Sequence, residues 1–179
     1  MFTIGNTVLV IIDVQGKLAL LMHQSEQLSK NLQRLIQGAK ILNLPILWME
    51  QVPEILGPTI PEIAALLTDF QSIPKVSFSC YLNGPFVESL TKLNRRQVLI
   101  AGIETHICVY QTVVDLVDAQ YEVQVIGDAT SSRTLENKQI GLERIKAVGA
   151  DVTSLETIVC ELLRTSQHPK FSEILALIK

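Results

Sequence analysis

A cysteine, an aspartate and a lysine, set far apart in this 179-residue sequence, carry the side chains for one shared reaction. Cys108 follows an apolar run at residues 98–101 and a turn through Gly102, Ile103 and Glu104. The spacing of Val109, Val113, Leu116 and Val117 predicts a helix there, with Thr105 as its N-cap and Cys108 in its first turn. A free thiol titrates near about 8.5, so little of it is thiolate at neutral pH. Unpaired amides, the positive end of a helix and a neighbouring ammonium would each favour the anion. Asp13 ends an apolar run at residues 8–12 and could accept the thiol proton, then hand it to a leaving amine. Lys75 lies in a connecting segment, residues 73–81, and could stabilise the charges. Together they would make Cys108 a nucleophile, Asp13 a general base and acid, and Lys75 an electrostatic stabiliser. Each also has an ordinary reading. A lone cysteine in an apolar helix is usually a small core residue, a strand-ending aspartate a turn former, and a lysine a solvated charge. Cys80 and Cys160 have no such partners and keep the ordinary reading.

The elements that must position these residues alternate regularly. Strands are predicted at 7–12, 45–49, 97–101, 121–126 and 151–153. Helices are predicted at 25–42, 61–67, 86–93, after Thr105, and at 135–148, 155–163 and 168–178. Residues 7–12 are almost wholly apolar, as in a parallel strand covered on both faces. The prolines and glycine of residues 50–63 predict an ordered loop, and Asn83-Gly84-Pro85 a turn. Such alternation predicts an α/β fold, a mostly parallel Rossmann-like sheet in three layers with helices on both faces. Ligands of such sheets bind beyond the carboxyl ends of the strands, which is where Asp13 and Gly102 fall.

Composition excludes several classes. The net charge of −3 and pI near 5.6, with no basic cluster beyond Arg95-Arg96, argue against a nucleic-acid partner. No apolar run approaches the roughly 18 residues of a membrane span, and the first residues read as a strand rather than a signal peptide. Three widely spaced cysteines fit a reducing, cytoplasmic setting and neither a disulfide framework nor a thiolate metal site. The turn Asp13-Val14-Gln15-Gly16-Lys17 has no GxGxxG, so a dinucleotide site is not expected. Hydrophobic residues make up 47% and mean hydropathy is +0.31, which leaves apolar surface for a homo-oligomer to bury.

Asp13, Lys75 and the segment Gly102-Ile103-Glu104-Thr105-His106-Ile107-Cys108-Val109 resemble the isochorismatase-like cysteine hydrolases, a family that includes nicotinamidase and N-carbamoylsarcosine amidohydrolase. The resemblance runs over nearly the whole chain, read as one domain across 1–179, and extends to Asp128-Ala129-Thr130-Ser131-Ser132-Arg133, a turn after the fifth strand. Glu50-Gln51-x-Pro53, Leu56-Gly57-x-Thr59 and Lys75-x-Ser77-Phe78-Ser79 look most like the isochorismatase domain-containing subgroup. It implies a Cys108 nucleophile with Asp13 and Lys75, an oxyanion hole from the backbone amides of Glu104 and Cys108, and a cis peptide between Ile103 and Glu104. It also implies hydrolysis of a small C–N substrate through a thioester, without a cofactor, in a homo-oligomer.

Two departures narrow the expectation. Nicotinamidases carry an Asp-x-His metal motif where this chain reads Met49-Glu50-Gln51-Val52-Pro53, and only His23, His106 and His168 are present, so no metal is expected. Isochorismatases proper lack the cysteine. Helical spacing turns His106 away from Cys108, which makes it a structural or interface residue. Trp48, Gln51, Phe78 and Tyr81 are candidates for substrate contacts. The alternative is a catalytically silent binding or scaffold protein on the same fold.

Overall fold

All six residues of Thr7–Ile12 are buried, because this strand is at the centre of a sheet covered on both sides. The structure, a computed structural model, describes residues Met1–Lys179. Its strands are β1 (Thr7–Ile12), β2 (Ile46–Gln51), β3 (Ser72–Lys75), β4 (Gln97–Ile103), β5 (Glu122–Ser131) and β6 (Asp151–Thr153). They form one parallel sheet in the order β3-β2-β1-β4-β5-β6. The helices are α1 (Gly16–Leu20), α2 (Ser25–Ile41), α3 (Pro53–Leu56), α4 (Pro61–Ala64), α5 (Gly84–Lys92), α6 (Tyr110–Asp118), α7 (Leu135–Ala147), α8 (Leu155–Leu163) and α9 (Phe171–Ile178).

The period of two along β1 builds both cores. Leu9 and Ile11 pack with Leu32 and Ile36 of α2 and Ile158 of α8, whereas Val8, Val10 and Ile12 pack with Phe86 of α5, Val113 of α6 and Ile145 of α7. Each such aliphatic side chain taken from water contributes roughly 1.5–3 kcal/mol. The three-layer α/β architecture expected from alternation is therefore present. No helix is long and apolar enough to cross a membrane.

The strand order reverses between β1 and β4, which opens the crevice where such folds bind ligands. Gly102 lets these two strands meet there. Its φ is +118°, and a Cβ would lie 2.1 Å from the carbonyl oxygen of Ile12, so no other residue fits.

Several boundaries differ from the sequence reading, each for a local reason. Lys75 ends a strand rather than lying in a connection: Ser72–Lys75 pairs with Trp48–Gln51 at the sheet edge, where Pro74 is tolerated. Beta-strand β5 does not stop at residue 126. Its register against β4 breaks after Ile100 and resumes at Gly102–Thr130 and Ile103–Ser131, so the segment Asp128–Arg133 is strand as far as Ser131 rather than a turn. Helix α5 starts at Gly84 because the Asn83 side chain caps the Phe86 N–H, and α9 starts at Phe171 rather than residue 168.

Candidate active site

Asp13 leaves β1 with φ +53°, a left-handed conformation that aspartate adopts more readily than most residues. Its amide donates to Met49 O, which ties it to β2. The chain then turns into α1, and the buried Gln15 clamps the end of β2. The Gln15 side chain accepts from the Gln51 N–H at 2.7 Å and donates to Gln51 O at 3.1 Å and Gly57 O at 2.7 Å. Gln51 is the register partner of Lys75, so this clamp also fixes the lysine.

Lys75 and Asp13 form a buried ion pair. Lys75 Nζ lies 2.7 Å from Asp13 Oδ2, with side chains 0% and 3% exposed. The ammonium also donates to Gln51 Oε1 at 2.6 Å, and Ser77 O and Phe78 O lie at 3.2 and 3.1 Å. Its three hydrogens are thus fully used within the protein. Asp13 Oδ1 is buried and accepts no hydrogen bond. Cys108 lies beside the carboxyl group, close enough that the thiol lowers the carboxyl pKa and the carboxylate raises that of the thiol.

The cysteine turn differs from the expected helix start. Residues Thr105–Val109 form a wide π-type turn, in which the Val109 N–H reaches Glu104 O at 3.3 Å, and the α-helix begins at Tyr110. Thr105 does not cap it. Its hydroxyl meets Thr130 Oγ1 at 3.1 Å, and Thr130 Oγ1 in turn donates to Gly102 O at 2.7 Å, fastening the turn to β5. Behind the nucleophile, Thr112 Oγ1 donates to Cys108 O at 2.7 Å and accepts from the Cys80 N–H at 2.9 Å. The Ile103–Glu104 peptide is cis. The Glu104 carboxylate is buried and turned to Arg133, accepting from its N–H at 3.0 Å and from Nε at 3.2 Å. His106 Nδ1 lies 3.0 Å from Ser132 Oγ, away from the thiol.

Charge in the site runs opposite to the sequence expectation for the thiol. Burial, then the Asp13 carboxylate, push the Cys108 thiol well above its ordinary range, and Lys75 offsets only part of this. Burial also raises the Asp13 carboxyl, against the lowering effect of Lys75. The upward shift of the thiol argues against a preformed thiolate. Cys80, fully buried, is pushed up to about 12 by burial. Cys160 is exposed.

A cavity of about 120 Å³ opens on this pair. Asp13, Gln51, Glu104 and Cys108 give it polar groups, and Leu18, Leu56, Phe78, Ile103 and Ile107 form its apolar wall. Of the four candidates for substrate contacts, the structure brings Gln51 and Phe78 to the cavity. Trp48 does not line it, because its Nε1 donates to Thr59 Oγ1 at 2.8 Å on the opposite face of β2, and Glu50 Oε1 accepts from Thr59 N–H and Oγ1, each at 2.7 Å. Tyr81 is half-buried and packs edge-on against Tyr121, with ring centroids 6.3 Å apart, at the margin of the core on one face of the sheet. Sequence reasoning missed Gln15, Thr112, Leu18 and Leu56. The last two stand on helices of five and four residues, too short to show a period.

Three comparisons place this geometry among known proteins. A family model described as the isochorismatase domain matches residues 7–157. Isochorismatase domain-containing protein 1 of Danio rerio is 39% identical over 150 residues, covering 82% of this chain and 52% of that protein, so the chain spans about half the relative's length. The secreted isochorismatase effector Isc1 of Phytophthora sojae (strain P6497) is 37% identical over 180 residues, covering 97% of this chain and 85% of that one. Among solved structures, that of MAR1 ribonuclease from Caenorhabditis elegans superposes with a TM-score of 0.93 at 33% identity, covering 99% of this chain and 91% of that one.

Proposed function

The chain belongs to the isochorismatase family of hydrolase folds, and from that premise we propose that it hydrolyses the C–N bond of a small amide through a thioester on Cys108. The observation that carries this reading is the buried Asp13–Lys75 pair, whose carboxyl group has one unpartnered oxygen and shares a cavity with the Cys108 thiol. Asp13 takes the thiol proton as Sγ attacks the carbonyl carbon. The oxyanion is received by the backbone N–H groups of Glu104 and Cys108. Collapse breaks the C–N bond, and Asp13 gives its proton to the departing amine. Water then attacks the thioester with Asp13 again as base, releasing a carboxylic acid and restoring the thiol. Lys75 keeps Asp13 ionised and in place throughout.

Cys108→Ala tests this. Intact mass spectrometry of the wild type with small amides should show an acyl adduct on Cys108, and Cys108→Ala should lose at least about 10³-fold in hydrolysis with an unchanged melting temperature. A silent binding or scaffold protein would never form the adduct. The relative from Caenorhabditis elegans is described as a ribonuclease, so RNA belongs in the same assay. Cleavage of RNA that survives in Cys108→Ala would overturn the proposal. The acidic chain, with a net charge of −3, and the narrow cavity both favour the small molecule.

A homo-oligomer in a reducing, cytoplasmic setting is the assembly we propose, although one relative is by its name secreted. Leu20, Leu21, Ile55, Val76 and Leu82 are each more than 60% exposed, and they lie on the segments that supply Leu18, Leu56 and Phe78 to the cavity wall. Exposed apolar side chains gathered in this way mark surface that association covers. Light scattering should give a multiple of 19.9 kDa; a monomer at micromolar concentration would refute the assembly.

A further inference from the structure

We propose that the acyl part of the substrate is compact, uncharged and apolar: a short aliphatic amide rather than one bearing a carboxylate or an ammonium. The inference rests on the reading of Cys108 as the acylated nucleophile and adds what the cavity would accept.

The charged side chains around the cavity are already paired with opposite charges. Gln51 is engaged at both ends of its amide, Oε1 by Lys75 at 2.6 Å and Nε2 by Val76 O at 2.8 Å. Glu104 is engaged by the Arg133 N–H and Nε. Lys75, the one cation at the floor, donates to Asp13, Gln51 and the carbonyls after β3. Asp13 Oδ1 and the Cys108 thiol are both committed to bond making and proton transfer. The other five lining side chains are Leu18, Leu56, Phe78, Ile103 and Ile107.

A carboxylate on the substrate would therefore enter a buried space with no unpaired cation and with the bare oxygen of Asp13 facing it. An uncompensated charge in such a place is costly. An ammonium fares no better, because the Glu104 charge is already paired with Arg133 and pairing with Asp13 would consume the base. The volume of about 120 Å³ lies well under the roughly 300–1,000 Å³ of ordinary ligand pockets, which limits the acyl group to a short chain. Selection is then by shape and apolar contact, with no unpaired cation to receive an anionic substituent.

Butyramide, succinamic acid and β-alaninamide form a matched set of neutral, anionic and cationic amides for the test. Wild-type protein is mixed with each, and both the Cys108 acyl adduct and the released acid are followed. Butyramide should exceed the two charged amides in kcat/KM on the order of 100-fold, the scale on which an apolar pocket discriminates. If succinamic acid or β-alaninamide acylates Cys108 as fast as butyramide, the substrate class is wrong while the thioester chemistry stands. If none of the three, nor a wider panel of small amides, acylates Cys108, the chemistry itself fails and the substrate class falls with it.

Discussion

Asp13→Asn should make Cys108 easier to alkylate while stopping turnover. The two effects part because the carboxylate raises the thiol pKa at rest and accepts its proton during reaction. Removing that charge removes the largest cause of the raised thiol after burial, and leaves Lys75 without its counterion beside the sulfur. The thiolate then gains a partner it lacks in the wild type. Alkylation of Cys108 by iodoacetamide should shift to lower pH, by about one unit or more, which is about tenfold in rate at a fixed pH below the shifted value. Turnover should fall by about 10²–10⁴, the usual worth of a positioned general base. Asparagine is the right replacement because it tolerates the left-handed backbone at this position.

The same argument sets the pH dependence of the wild type. The Asp13 carboxyl is raised from its ordinary 3.8, and only its ionised form can take the thiol proton. Activity is therefore complete above that raised value and falls as the pH drops through it, whereas alkylation of free Cys108 declines from a much higher pH. Peptide mass spectrometry against pH, with exposed Cys160 as the internal reference, separates the two curves. If Cys108 in Asp13→Asn reacts no faster than in the wild type, the carboxylate does not hold the thiol neutral and the assignment of Asp13 as base fails.

How much of this was legible in the sequence depends on the range of the signal. Strand β1 and helix α8 lie at the residues where their apolar patterns placed them, since each pattern reports burial directly. The meeting of Asp13 with the turn after Gly102 followed from a rule about strand ends, and the switch in strand order between β1 and β4 bears out its premise. Trp48 failed as a cavity residue because strand parity decides it: Trp48 shares a face with Glu50, and both bind Thr59, while Gln51 faces the other way to Lys75. Thr105 failed as a cap because the wide turn and its bond to Thr130 depend on β5, which is 25 residues away. The shift of the Cys108 thiol runs upward, against the expected direction, for a similar reason. A helix start and a lysine argue for a thiolate, but burial and the neighbouring carboxylate outweigh them, and neither is visible until the chain is folded.

Lys75→Met is the substitution with the largest expected cost to stability. It leaves the Asp13 carboxylate buried with no counterion, which typically costs about 3–5 kcal/mol. The carboxyl would respond by rising further, because Lys75 is the chief influence that lowers it. The acid limb of any residual activity therefore moves to higher pH, and turnover falls because less Asp13 is ionised at neutral pH. Asp13→Asn strands the opposite charge. The double variant Asp13→Asn/Lys75→Met strands neither, and replacing a buried pair with neutral groups of similar size is often nearly neutral. Urea denaturation of the four proteins should therefore give strong non-additivity, with the double variant more stable than Lys75→Met alone. Recovery will fall short of the wild type, because Gln51 Oε1 and the carbonyls of Ser77 and Phe78 lose their donor. Activity should not recover at all, since the double variant has no base for the Cys108 proton. If the two single effects simply add, the charges act independently and the pair does not form the coupled unit that the mechanism requires.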